Sequence, residues 1–229
     1  MEFTVGMFGI HYSYYSNGQM KTLASMKNGE LHGQYQKWHV NGRLAQEGTY
    51  DQGERVFLWR CWDERGRLFG ADTFHPDNCG FVRIVYYPSG EIHKLKNYRI
   101  YGGQRCKVGR HIYYHQNGNI KHRLHYDENG AMNGPMETFF ENGASKSAMM
   151  WVSGILHGQF TLYFPNGSKK AEGMYEHGKL HYTYIEWNSV GQLEKHILYE
   201  DGEELCIYED NDMDVNVSVS MSAEILVGM

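Results

Sequence analysis

Thirteen histidines in 229 residues are the first side chains that chemistry would recruit. Four lie close together: His111, His115, His122 and His125. On extended strands His111 and His115 share a face, and a hairpin brings His122 or His125 beside them. A zinc site needs a full donor set, and no cysteine pair or carboxylate completes one here. His32, His157 and His181 recur at equivalent spacings, which marks them as parts of a repeat rather than ligands. Asp210, Asp212 and Asp214 open like a calcium loop. The sixth position of that loop is Val215 instead of glycine and the twelfth is Met221 instead of glutamate, so the motif fails. Cys106, with Lys107 and His111 nearby, sketches a thiol nucleophile that lacks a partner at a defining spacing. No Gly-rich phosphate loop and no nucleophile elbow occurs. The residues predict a chain that is not an enzyme and uses no metal or other cofactor.

Composition narrows the classes further. Hydrophobic residues are 41% of the chain and mean hydropathy is -0.61. No apolar run approaches the roughly 20 residues of a spanning helix, and the start MEFTVGMFGI has no basic leader region. The net charge of -5 withholds the bulk attraction expected of a nucleic-acid coat or an anionic-lipid binder, although local basic patches stay open. The four cysteines (Cys61, Cys79, Cys106, Cys206) are scattered, as in a reducing cytoplasm. Glycine is 27 of 229 and proline only 4. That combination, with 18 tyrosines, suits many tight turns between short aromatic strands.

The elements that would position these side chains repeat. A glycine preceded four residues earlier by an aromatic recurs eight times, at Gly18, Gly42, Gly66, Gly90, Gly118, Gly143, Gly167 and Gly191. The aromatics are Tyr14, Trp38, Trp62, Tyr86, Tyr114, Phe139, Tyr163 and Trp187. The spacings are 24, 24, 24, 28, 25, 24 and 24 residues, a period typical of repeat architectures. A second glycine follows about eleven residues later at Gly29, Gly53, Gly130, Gly154, Gly178 and Gly202. Asp77 and Tyr101 stand there in the third and fourth units. Asn-Gly between alternating runs signals a hairpin, with positive φ at both central residues of a type I′ turn. Two strands per unit predict about sixteen antiparallel strands in an all-β chain. At strand spacings of about 4.8 Å these extend roughly 75 Å.

The aromatic-x-x-Asn-Gly cores, with GELHG at Gly29 to Gly33, GILHG at Gly154 to Gly158 and GKLH at Gly178 to His181, resemble the variant class of MORN repeats. The resemblance covers roughly residues 11–205. It implies an elongated, twisted single antiparallel sheet of about eight tandem hairpins, serving as a binding or scaffolding surface. Many bacterial proteins it resembles are described as antitoxins of toxin–antitoxin pairs. The pattern departs between Cys79 and Gly109, where four residues are inserted, so residues 77–109 are expected to form a kink or a protruding loop. Residues 1–10 are expected to cap one end. Residues 206–229 supply an acidic linker and a closing strand, Val215 to Met221, or alternatively a short helix from Ser222 to Val227.

The eight aromatics at minus four read as a core ladder, because a binding site is rarely needed eight times. Tyr15, Tyr87, Phe140 and Phe164, one position later, then face the other way and become candidates for partner binding. The expected function is a non-catalytic protein-binding scaffold. Its partner would be a toxin, as the resemblance implies, or the subunits of a larger assembly such as a virion. A lipid-surface module is a third reading. No nucleic-acid partner and no membrane insertion is expected. Exposed sheet ends leave end-to-end self-association open.

Overall fold

A computed structural model describes residues 7–77 and 79–208. The proposed closing strand, the tail helix and most of the N-terminal cap lie outside the described residues. Among those described there is no helix; all regular structure is β. The first half contains β1 (Phe8–Tyr14), β2 (Met20–Lys27), β3 (Glu30–Trp38), β4 (Leu44–Asp51), β5 (Glu54–Trp62), β6 (Leu68–Phe74), β7 (Gly80–Tyr86) and β8 (Ile92–Tyr101). There follow β9 (Gln104–Lys107), β10 (Gly109–Tyr114), β11 (Ile120–Tyr126), β12 (Gly134–Phe139) and β13 (Ser145–Val152). The last are β14 (Ile155–Leu156), β15 (Gly158–Tyr163), β16 (Lys169–Glu176), β17 (Lys179–Trp187), β18 (Leu193–Glu200) and β19 (Glu203–Ile207).

The strands pair antiparallel in chain order, apart from two breaks, in one open sheet of 19 strands among the described residues. The count exceeds sixteen partly because two strands are broken. β9 and β10 lie end to end beside β8, and β14 and β15 lie end to end beside β13. The sheet is therefore continuous through residues 77–109. The four inserted residues lengthen the β8–β9 hairpin, which turns at Gly102 and Gly103 (φ 55° and 78°).

The two turns of each unit differ from the expected assignment. At the first, only the glycine takes positive φ (82° at Gly18, 80° at Gly42). Gly18 N–H donates to the Tyr15 carbonyl at 2.9 Å, a type I turn closed by a left-handed glycine. The type I′ geometry belongs to the second turn. In five units both residues there have positive φ: Asn28 and Gly29, Gln52 and Gly53, Ser153 and Gly154, His177 and Gly178, Asp201 and Gly202; in the fifth unit Gly130 does so without Asn129.

Asparagine at the first turn has a different task. Its Oδ1 accepts from the backbone two residues on, and its Nδ2 reaches the next repeat. Asn17 donates to the Val40 carbonyl, Asn41 to Glu64, Asn117 to Glu141 and Asn166 to Ser189, at 2.7–3.3 Å. On the opposite rim the second-turn glycine donates its own N–H across repeats. Gly53 bonds Leu31, Gly154 bonds Met132, Gly178 bonds Leu156 and Gly202 bonds Leu180, at 2.8–2.9 Å. Where these residues are present, hairpins are bonded to their neighbours at the rims, which helps a single layer hold its stacking.

The core is a column along the middle of one face. Seven residues before each first-turn glycine stand His11, Tyr35, Trp59, Arg83, His111, Met136, Phe160 and Tyr184. Trp59 and His111 are fully buried and Phe160 is 5% exposed. Small residues lie beside the largest rings. A Cβ at Gly48 would fall 2.2 Å from the Trp59 ring, and one at Gly173 would fall 2.9 Å from Phe160. The minus-four aromatics, expected as the core ladder, sit toward the rim. Seven are half-buried and Tyr14 is exposed.

Candidate interaction surface

Tyr15, Tyr87, Phe140 and Phe164 are all half-buried, and the first two act as struts between repeats. Tyr15 Oη donates to the Trp38 carbonyl at 2.7 Å and Tyr87 Oη to Tyr114 at 2.8 Å. His39 and His115 make the same bridge, to Trp62 at 2.8 Å and Phe139 at 3.0 Å. Phe140 and Phe164 lie under Lys146 and Lys170, with the ammonium groups 5.7 and 5.9 Å from the ring centres.

A position that sequence reasoning passed over is more exposed. Nine residues before the first-turn glycine, Gly33, Gly109, Gly134 and Gly158 all take positive φ, from 63° to 106°. Each lies opposite an aromatic: Tyr50, Tyr126, Trp151 and Tyr175. In the third and eighth units the same left-handed position holds Phe57 (φ 57°) and Tyr182 (φ 62°). A left-handed L-residue costs roughly 1–2 kcal/mol. These two rings are nevertheless 67% and 53% exposed, so burial does not offset that strain. The glycines closing GELHG and GILHG carried the signal; comparing that offset across units would have found both aromatics.

The family profile described as MORN repeat variant matches residues 9–28, 107–130 and 156–177. These stretches coincide with the first, fifth and seventh hairpin units, in register with the turns described above. The chain carries MORN-variant repeats. No curated protein matches it.

Solved structures offer only distant likenesses to this MORN-variant sheet. A TcdB2–TccC3 crystal structure is 14% identical with a TM-score of 0.23, and the match covers 84% of this chain and 12% of that one. A Tc holotoxin pore from Photorhabdus luminescens is 13% identical, with a TM-score of 0.21 and coverages of 85% and 12%. A porin-like protein from Bacteroides uniformis is 9% identical, with a TM-score of 0.18 and coverages of 88% and 93%. The chain spans about an eighth of the toxin-complex chains it matches. At these scores none of the three bears on function.

The MORN-variant sheet keeps the histidines of the centre apart. Among the described residues no three His, Cys, Asp or Glu side chains gather as metal donors. His111 Nε2 lies 2.8 Å from the Asn97 carbonyl, and its ring packs against Tyr98 and Tyr126 at 5.8 and 4.7 Å. Burial first, and then Lys96, Lys107 and His125, lower its pKa. Cys106 pairs with Arg99, on the face opposite Tyr98. Strand alternation therefore separates the thiol from His111. Burial pushes the Cys61 thiol up, away from reactivity.

A hollow of about 630 Å³ opens where β11 and β12 pair only at His122–Thr138 and Arg123–Glu137 and then splay. Arg110, His125, Glu137, Met150 and Trp151 line it, and Arg123 bonds Glu137 at 3.0 Å. It offers mixed apolar and charged contacts.

Proposed function

We propose that this MORN-variant chain is a non-catalytic scaffold that binds a partner protein through the side of the sheet presenting Phe57 and Tyr182. The observation that carries the reading is strain combined with exposure. Two aromatics occupy left-handed backbone positions that glycine fills elsewhere, and both rings stand in solvent. Strain kept at a site where the ring stays largely exposed points to a role outside the fold. Aromatic anchors of this kind dominate the energetics of protein interfaces. Ten strand spacings lie between β5 and β17 along the sheet, about 48 Å, so a partner engaging both anchors would be held along most of the array. Occlusion of a toxic partner is the narrowest form of this reading. The four free thiols support a cytoplasmic setting.

The test is to co-purify the partner from the native source, reconstitute the complex from purified components, and compare Phe57→Gly and Tyr182→Gly with the parent. Each substitution removes strain and should leave stability equal or raise it by about 1 kcal/mol. Partner affinity should fall at least tenfold. Unchanged affinity alongside raised stability defeats the reading. For the toxin form, co-expression should rescue growth from the partner, and the double glycine variant should not.

A second reading, a building block of a larger assembly, draws on the edge strands. β1 exposes Phe8, Ile10, Tyr12 and Tyr14, and β19 exposes Leu205 and Ile207. Among the described residues, no further strand pairs with either edge, and such edges can take up another chain.

A further inference from the structure

The net charge of -5 conceals an uneven distribution. Between Cys79 and Tyr126 the chain carries nine lysines and arginines against one acid, Glu91. Residues 127–208 carry twelve acids against five bases. The structure gathers four of the central cations on one face of the β8–β9 hairpin. Lys94 and Lys96 are two residues apart on β8. Lys107 lies opposite Tyr98 and Arg105 opposite Ile100, so all four continue one line with a step of two residues. That step is about 6.7 Å, and the line is roughly 20 Å long.

Aromatic rings hold these cations in place. Lys94 and Lys96 stand 5.9 and 5.5 Å from the centre of Tyr113, Lys107 stands 5.0 Å from Tyr126 and Arg105 stands 5.3 Å from Phe81. None of the four forms an ion pair among the described residues, whereas Arg83, Arg99 and Arg123 each have a carboxylate. Burial, then the neighbouring Lys94, Lys107 and Arg83, lower the pKa of Lys96. The group repels itself and would be relieved by an anion.

We infer that this cationic line receives an extended acidic segment, residues 209–214 of a second copy of the chain. An extended peptide with acids at every second residue presents carboxylates along one side at the same step as the cations. Asp210, Asp212 and Asp214 have that spacing. The chain's own segment cannot reach. From β19 to β8 is nine strand spacings, about 43 Å along the sheet, while Asp214 lies six residues beyond Tyr208, about 20 Å at full extension. The contact therefore forms between copies. A nucleic-acid strand fits less well. The rings that would stack on bases are already covered by the cations, and the acid-rich half beside the line repels a long polyanion.

Sedimentation of the full chain tests this. Association should be present at about 50 mM salt and lost at about 0.5 M. It should weaken at least tenfold in two separate variants. One is Lys94→Gln/Lys96→Gln/Arg105→Gln/Lys107→Gln and the other is Asp210→Asn/Asp212→Asn/Asp214→Asn. Circular dichroism confirms that both keep the sheet. A synthetic peptide of residues 206–216 should dissociate the parent and bind it more tightly than an oligothymidylate of equal length. A monomer at low salt, association insensitive to either variant, or tighter binding of the oligothymidylate each overturns the inference. The Phe57 and Tyr182 experiment is independent of all three outcomes.

Discussion

The central column of the sheet is filled in two ways. Toward the N-terminal side, Trp59 lies against Gly48 with no Cβ between ring and backbone, flanked by Tyr35 and Tyr50 at 5.6 and 4.8 Å. Phe160 and Gly173 repeat this arrangement in the seventh unit. In the middle of the array the same column reads Asp72, Arg83, Lys96 and His111. Asp72 pairs with Arg83, and Arg83 pairs with Lys96. One backbone geometry thus accommodates an apolar ring seated on glycine or a charged ladder. The third and fourth units, which supply Asp72, Arg83 and Lys96, carry neither the first-turn asparagine nor the second-turn glycine, so the charged ladder occupies the units that contribute neither kind of rim bond. The flanks use the column for stability, and the centre uses it to hold positive charge on a face.

The comparison predicts unequal responses to substitution. Trp59→Ala should cost the most, about 3–5 kcal/mol, because it empties the column and removes the Nε1 bond to the Thr49 carbonyl at 3.1 Å. Gly48→Val should destabilise comparably, since its Cβ would overlap the ring. Urea midpoints measure both. Asp72→Ala comes next, at about 2–3 kcal/mol. Asp72 is 5% exposed and receives two bonds from Arg83, at 2.6 and 2.5 Å. Its loss leaves Arg83 beside Lys96 without a counter-charge, although the guanidinium's partial exposure softens the penalty. Adding Arg83→Met should recover most of the loss. A Trp59→Ala cost below that of Asp72→Ala would erase the proposed division between flank and centre.

Much of this architecture could be read from period and turn residues, because turns impose backbone demands that few residues meet. Eight units, the hairpin turns and the all-β class followed from them. The turn types did not, since Asn-Gly satisfies two different requirements. At Asn28 the backbone needs positive φ; at Asn41 the amide is needed to reach Glu64. The core column was hidden because its residue type changes in every unit, whereas the recurrent aromatic at minus four belongs to the rim. Spacing shows where the Tyr15 and Tyr87 side chains start and not that each hydroxyl ends on the next repeat's carbonyl. The cationic line was masked by the whole-chain charge, which the acid-rich half reverses.

The smallest expected effect distinguishes the two regions by pH. His93, His111 and His122 all lie in the centre, and burial is the main cause lowering the pKa of each. Lys94, Lys121 and Lys96 add to it at His93, and Lys121, His115 and Lys146 at His122. Lys96 on β8, Lys107 on β9 and His125 on β11 do so at His111. A base that is harder to protonate when folded binds fewer protons in the native than in the unfolded chain. Stability then rises with pH until the unfolded histidines are neutral, near pH 7, and falls as pH drops below about 6.5. The urea midpoint should therefore decline between pH 7 and pH 5, by less than either substitution above. His111→Phe, which keeps a ring between Tyr98 and Tyr126 but loses the bond to Asn97, should lower the midpoint at pH 7 and flatten its decline. Hydrogen exchange should place the acid-induced loss in β8–β11 before β3–β5. Equal loss in both segments would mean that the charged centre and the aromatic flank unfold as a single unit.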